Sequence, residues 1–115
     1  GGEMWGCQNL GWIYEYGTDK DAKKAVEFYQ KACDGGNMSG CNNLGWQYQN
    51  GEGVENDFTK AFEFYTKACD GGEMIGCNNL ASLYQNGTGV PKDSKKAAEL
   101  YKKACEGGYT DACKK

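Results

Sequence analysis

The sequence predicts an all-α protein, an α/α-hairpin solenoid with one disulfide per hairpin. Three observations predict it: an internal repeat near 36 residues, cysteine pairs spaced eight apart, and apolar residues at helical spacing in every unit. Cys33, Cys69 and Cys105 are 36 residues apart, as are Cys41, Cys77 and Cys113. Cys7 precedes Cys41 by only 34, because the first unit has the loop Tyr16-Gly17-Thr18-Asp19. The others have Asn50-Gly51-Glu52-Gly53-Val54 and Asn86-Gly87-Thr88-Gly89-Val90. The expected organisation is a single repeat domain over 1–115, with units at 3–36, 37–72 and 73–108 and a fourth begun at 109–115.

Each unit reads as two helices. In the middle unit the first spans 38–50, where Cys41, Leu44, Gly45 and Tyr48 fall at i, i+3, i+4 and i+7 on one face. Gly51 follows as the expected C-cap. The matching faces are Cys7, Leu10, Gly11, Tyr14 and Cys77, Leu80, Ala81, Tyr84. Glycine weakens a helix interior by about 1 kcal/mol, so Gly11 and Gly45 predict a close neighbouring helix. The second helix spans 57–70, capped by Asn56 or Asp57, with Asp21 and Asp93 in the matching places. Ala61, Phe62, Tyr65, Ala68 and Cys69 form its apolar stripe, repeated as Ala25, Val26, Tyr29, Ala32, Cys33 and as Ala97, Ala98, Tyr101, Ala104, Cys105. Lys23, Lys24, Glu27, Lys31, Lys60, Glu63 and Lys67 lie off the stripe as a solvated surface. Pro91 falls in the loop before the third such helix, where its missing N–H costs nothing.

The composition narrows function. The 115 residues carry a net charge of −3 without a basic patch, which argues against nucleic acid. No apolar run approaches the ~20 residues of a membrane span. The chain opens Gly-Gly-Glu with no signal peptide, so a trimmed or engineered sequence is expected, with any export signal lost. Seven cysteines, six of them in regular pairs, suit an oxidising compartment, and hence a secreted or periplasmic protein. Free thiols or metal are the rival reading. Structural zinc prefers cysteines two to four apart, often with histidine; this chain has none, and no metal or cofactor is expected. The pairs read as Cys33–Cys41, Cys69–Cys77 and Cys105–Cys113. Cys7 is left over as a free thiol, since its partner by spacing would precede Gly1, and no histidine is present to activate it.

Leu44-Gly45-x-x-Tyr48-x-x-Gly51-x-Gly53-Val54, followed by Asp57-x-x-Lys60-Ala61-x-x-x-Tyr65-x-Lys67-Ala68, resembles the Sel-one-like repeat, a relative of the tetratricopeptide repeat. The cysteines eight apart resemble the Helicobacter cysteine-rich proteins. The resemblance covers the chain three times over and implies a right-handed superhelix with a concave inner face. The short first loop and Ala81 in place of glycine depart from the pattern. The resemblance also implies an enzymatic alternative, penicillin binding or weak β-lactamase activity. The serines do not support it: three residues beyond Ser39, Ser82 and Ser94 stand Asn42, Gln85 and Ala97, so Ser-x-x-Lys is absent. Gly51-x-Gly53 and Gly87-x-Gly89 follow helices rather than strands and read as positive-φ turns, not phosphate cradles.

A binding face has the better physical basis. Opposite the core stripe of the first helices lie Ser39, Asn42, Asn43, Trp46, Gln49 and Asn50, matched by Trp5, Asn9 and Trp12 and by Ile75, Asn78, Asn79, Ser82 and Gln85. By resemblance these line the concave groove and contact an extended peptide or protein. The core positions repeat closely, whereas Trp5/Ser39/Ile75 and Trp12/Trp46/Ser82 differ, as unit-specific contacts on a shared scaffold would. Asn9, Asn43 and Asn79 offer amides that both donate and accept. The bland alternatives are tryptophans packed on the adjacent unit and asparagines tying helices together. A scaffold with no ligand of its own, and units stacking end to end between molecules, are further expectations.

Overall fold

The structure, a computed structural model, describes residues 22–114. Five helices of 13 residues follow one another: α1 (Ala22–Asp34), α2 (Met38–Asn50), α3 (Phe58–Asp70), α4 (Met74–Asn86) and α5 (Ser94–Glu106). A short 3₁₀ turn, Thr110–Lys114, closes the chain, and no strand occurs among the described residues. Consecutive helices pack on each other, and α2 also touches α4, so the first helices of successive units lie side by side.

The boundaries follow from local chemistry. The Asp57 and Asp93 carboxylates accept from the backbone N–H of Lys60 and Lys96, each at 3.0 Å, and start α3 and α5. Asn56 is not the cap; its amide donates to the Gln49 carbonyl and ties the loop to the end of α2. Asn37 caps α2 through the Gly40 N–H at 3.0 Å, and Glu73 caps α4 through the Ile75 N–H at 3.2 Å. Gly51 ends α2 in the left-handed region at φ 67°, as predicted. Asp21 lies outside the described residues.

The apolar stripes are buried as expected. Tyr29, Tyr65 and Leu44 have 1 % exposure or less. The stripe thins on α5, where Ala98 is exposed and Cys105 half-buried, because only Thr110–Lys114 packs on that side. A Cβ at Gly45 would lie 2.8 Å from the Tyr65 ring, which explains the glycine. Gly40 and Gly76 are also contact points: a Cβ there would come within 2.8 Å of the Ala32 and Ala68 Cβ atoms. The flanking charges Lys23, Lys24, Glu27, Lys31, Lys60, Glu63 and Lys67 are exposed.

Three disulfides form, Cys33–Cys41, Cys69–Cys77 and Cys105–Cys113, with Cα–Cα distances of 4.6, 4.5 and 4.9 Å. Each joins the second helix of one unit to the first turn of the next, across a Gly-Gly turn. The bridge therefore fastens neighbouring units together.

One turn is under a tight steric constraint. Gly53 has φ 76°, and a Cβ there would lie 2.4 Å from the Ala22 carbonyl oxygen and 2.8 Å from the Lys23 nitrogen. Positive φ costs a side chain of order 1–3 kcal/mol, and backbone cannot swing aside as a side chain can. Gly53→Ala is expected to lower stability by at least about 2 kcal/mol. Urea unfolding followed by circular dichroism measures it; an unchanged midpoint would mean that the loop does not rest on α1.

Candidate functional site

The candidate face is carried by α2 and α4. Both present their core residues to the flanking helices, so their remaining faces adjoin. Ser39, Asn42, Asn43, Trp46, Gln49 and Asn50 come from α2, and Ile75, Asn78, Asn79, Ser82 and Gln85 from α4. Trp5, Asn9, Trp12 and Cys7, the last expected as a free thiol, lie outside the described residues.

Two hydrogen bonds lock α2 and α4 side by side. The Asn79 amide donates to Asn42 Oδ1 at 2.8 Å, and the Ser39 hydroxyl donates to Glu73 Oε2 at 2.6 Å. Glu73 thus has two tasks, since its other oxygen caps α4. Asn42 is 8 % exposed, and its carbonyl is committed to this bond. Asn43 makes no hydrogen bond among the described residues and stays half-exposed. Of the repeated asparagines in the described chain, Asn79 ties units together. Asn78 Oδ1 is buried without a hydrogen-bond partner among the described residues.

Gln49 and Gln85 are drawn to the rim by their own hairpins. Gln49 Oε1 accepts from the Tyr65 hydroxyl at 2.6 Å, and Gln85 Oε1 accepts from Tyr101 at 2.9 Å. Burial pushes the Tyr65 hydroxyl well above the usual tyrosine range, so it stays a donor. Asn50 folds back to donate to the Trp46 carbonyl at 2.9 Å, and Asn86 reaches Ser82 Oγ at 3.4 Å.

Two large apolar side chains remain open on this polar face. Trp46 is 38 % and Ile75 41 % exposed. Trp46 lies one turn beyond Asn42, and Ile75 one turn before Asn79, so they flank the amide pair. At 1.5 Å per residue they stand about 12 Å apart along the helices.

The sequence reading missed Glu73 and Gln47. Glu73 stands at a cap position, with no periodic signal for its bond to Ser39. Gln47 is fully buried, where the repeat places Ile13 and Leu83. Among the described residues no cluster of side chains could hold a metal ion, and no helix is long and apolar enough to cross a membrane.

Paired helices at a 36-residue period, glycine contact points and a shared polar face define an α/α-hairpin repeat scaffold, a class whose repeats present surfaces to other proteins. The chain belongs to the Sel1 repeat family, whose sequence profile matches residues 6–37, 39–73 and 75–109. Three solved structures illustrate the likeness. A Sel1 repeat protein from Oxalobacter formigenes is 32% identical with a TM-score of 0.86, over 92% of this chain and 44% of that one. A protective antigen of uropathogenic Escherichia coli strains, with an SLR fold, is 27% identical with a TM-score of 0.87, over 95% of this chain and 24% of that one. Helicobacter pylori cysteine-rich protein B is 38% identical with a TM-score of 0.75, over 79% of this chain and 68% of that one. The chain thus spans less than half the length of the first two. A comparison with curated proteins finds no match. The disulfides and the likeness to a cysteine-rich protein point to an oxidising, extracytoplasmic setting.

Proposed function

We propose that this chain is an exported binding scaffold, secreted or periplasmic, that takes an extended segment of a partner protein along the α2–α4 face. The observation that supports this most is the exposure of Trp46 and Ile75 on either side of the Asn42–Asn79 pair. Burying a large apolar side chain is worth about 1.5–3 kcal/mol, and these two stay open on an otherwise polar face. Their spacing of about 12 Å matches side chains at i and i+4 of an extended chain, which rises about 3.3 Å per residue. Asn43 and Asn79, both half-exposed, offer amide groups to a ligand backbone. The unit boundaries at 36, 72 and 108 belong to the same proposal, as does end-to-end association through α5, where a pocket of about 410 Å³ is lined by Ala98, Tyr101 and Cys105.

Selection from a displayed peptide library tests the groove. Binders are expected to carry two apolar residues four apart. Trp46→Ala should weaken them at least tenfold, about 1.4 kcal/mol, while Lys67→Ala on the far side should leave them unchanged. A library without binders, or binders indifferent to Trp46→Ala, would count against the groove.

A further inference from the structure

Positions 28, 64 and 100 are equivalent in the repeat and hold Phe28, Phe64 and Leu100. In the α2–α3 hairpin the Phe64 ring stacks on Tyr48, with centroids 5.7 Å apart and planes within 11°. Lys60 Nζ lies 5.4 Å from the centroid of the same tyrosine. The α4–α5 hairpin repeats two of these three parts. Tyr84 takes the place of Tyr48, and Lys96 Nζ again stands 5.4 Å from its ring. The third part is missing, because Leu100 stands where Phe64 stacks. At this place a pocket of about 360 Å³ opens between α3, α4 and α5, lined by Phe62, Leu80, Tyr84, Lys96, Leu100 and Lys103. Its volume lies within the range of ligand sites, about 300–1,000 Å³.

We propose that this pocket receives an aromatic side chain of a partner protein, carried on an acidic segment. The incoming ring replaces the stacking partner that Phe64 supplies one repeat earlier. Phe62 stands edge-on to Tyr84, at 5.7 Å and 83°, and forms an aromatic wall. Leu80, 5 % exposed, forms the apolar floor with Leu100. The rim is basic. Lys96 and Lys103 lie seven residues apart on one face of α5, and among the described residues neither is in an ion pair. Glu99 shares this rim, yet α5 as a whole carries four lysines against two glutamates in a chain of net charge −3. Carboxylates flanking the incoming aromatic residue therefore meet the locally positive part of an acidic protein. The site is independent of the α2–α4 groove. At 100° per residue, Leu80 and Tyr84 project from the side of α4 opposite Asn78, Asn79 and Ser82.

Methyl and amide NMR of the protein, titrated with acetyl-Glu-Phe-Glu-amide, tests the proposal. Saturable shifts are expected at Leu80 and Leu100, at least tenfold weaker with acetyl-Glu-Ala-Glu-amide. Leu100→Phe installs the ring that the earlier units already carry, and should abolish binding while the fold is retained. Lys103→Gln should weaken binding several-fold at low salt, and Trp46→Ala should leave it unchanged. The absence of saturable shifts at millimolar peptide would overturn the proposal. So would undiminished binding by folded Leu100→Phe, or shifts centred on Trp46 and Asn79.

Discussion

Removing the disulfides lowers the melting temperature by more than about 15 °C. Each pair closes a loop of eight residues' separation. In the chain-entropy treatment a loop of that size contributes about 2.5 kcal/mol, against a typical total stability of ~5–15 kcal/mol. The position of each bridge decides how that contribution is felt. Repeat arrays owe their stability to unit and interface terms between nearest neighbours, and Cys69–Cys77 fixes the α3–α4 interface between two units. Cys105–Cys113 holds only the turn Thr110–Lys114 against α5, a segment that can detach alone. The double variant Cys69→Ala/Cys77→Ala should therefore melt well below Cys105→Ala/Cys113→Ala, although the two loops have equal length. Differential scanning calorimetry of both variants measures the difference. Equal melting temperatures would show that the bridges act on the unfolded chain alone.

Gln47→Leu raises stability by about 2 kcal/mol, or roughly 5–10 °C in melting temperature. Gln47 is fully buried, and neither its Nε2 nor its Oε1 has a hydrogen-bond partner among the described residues. An unpaired amide in the interior costs about 1–3 kcal/mol. The protein itself shows that leucine fits this position, because Leu83 occupies it one repeat later at 1 % exposure. The substitution removes two unpaired polar groups while keeping a side chain of similar volume. Gln47→Ala is the control: it also removes the polar groups but opens a cavity, so it should gain less or lose stability. Chemical denaturation of the three proteins gives the ranking. A Gln47→Leu protein less stable than the parent would mean that the amide is hydrogen-bonded in solution.

The residues buried between adjacent helices were legible in the sequence. Cys41, Leu44, Gly45 and Tyr48 recur at helical spacing and at the 36-residue period, and the structure buries or half-buries each of them. Asp57, Asp93 and Gly51 mark helix ends because capping is a local event. The cysteine spacing of eight is the length of one tight turn between two helices, so it led to the bridges.

The polar contacts across unit boundaries were not legible to the same degree. Asn42 and Asn43 are equally polar neighbours, and periodicity would align Asn43 with Asn79. The structure instead pairs Asn42 with Asn79, 37 residues apart, and Ser39 with Glu73, 34 apart. These offsets depend on how far one helix slides along the next, a sum over many packed side chains. The same holds for Gln49 and Gln85, which the polar pattern assigned to a groove and the hairpin bonds to Tyr65 and Tyr101. It holds again for Leu100, whose difference from Phe64 matters only where two other helices frame the space it leaves. The sequence by itself determined the repeat, the helices, the caps and the staples, because each rests on side chains within a dozen residues of one another. Only the tertiary structure decided which polar groups are used up in joining units and which stay open, because that depends on the stacking offset between helices, which no local pattern encodes.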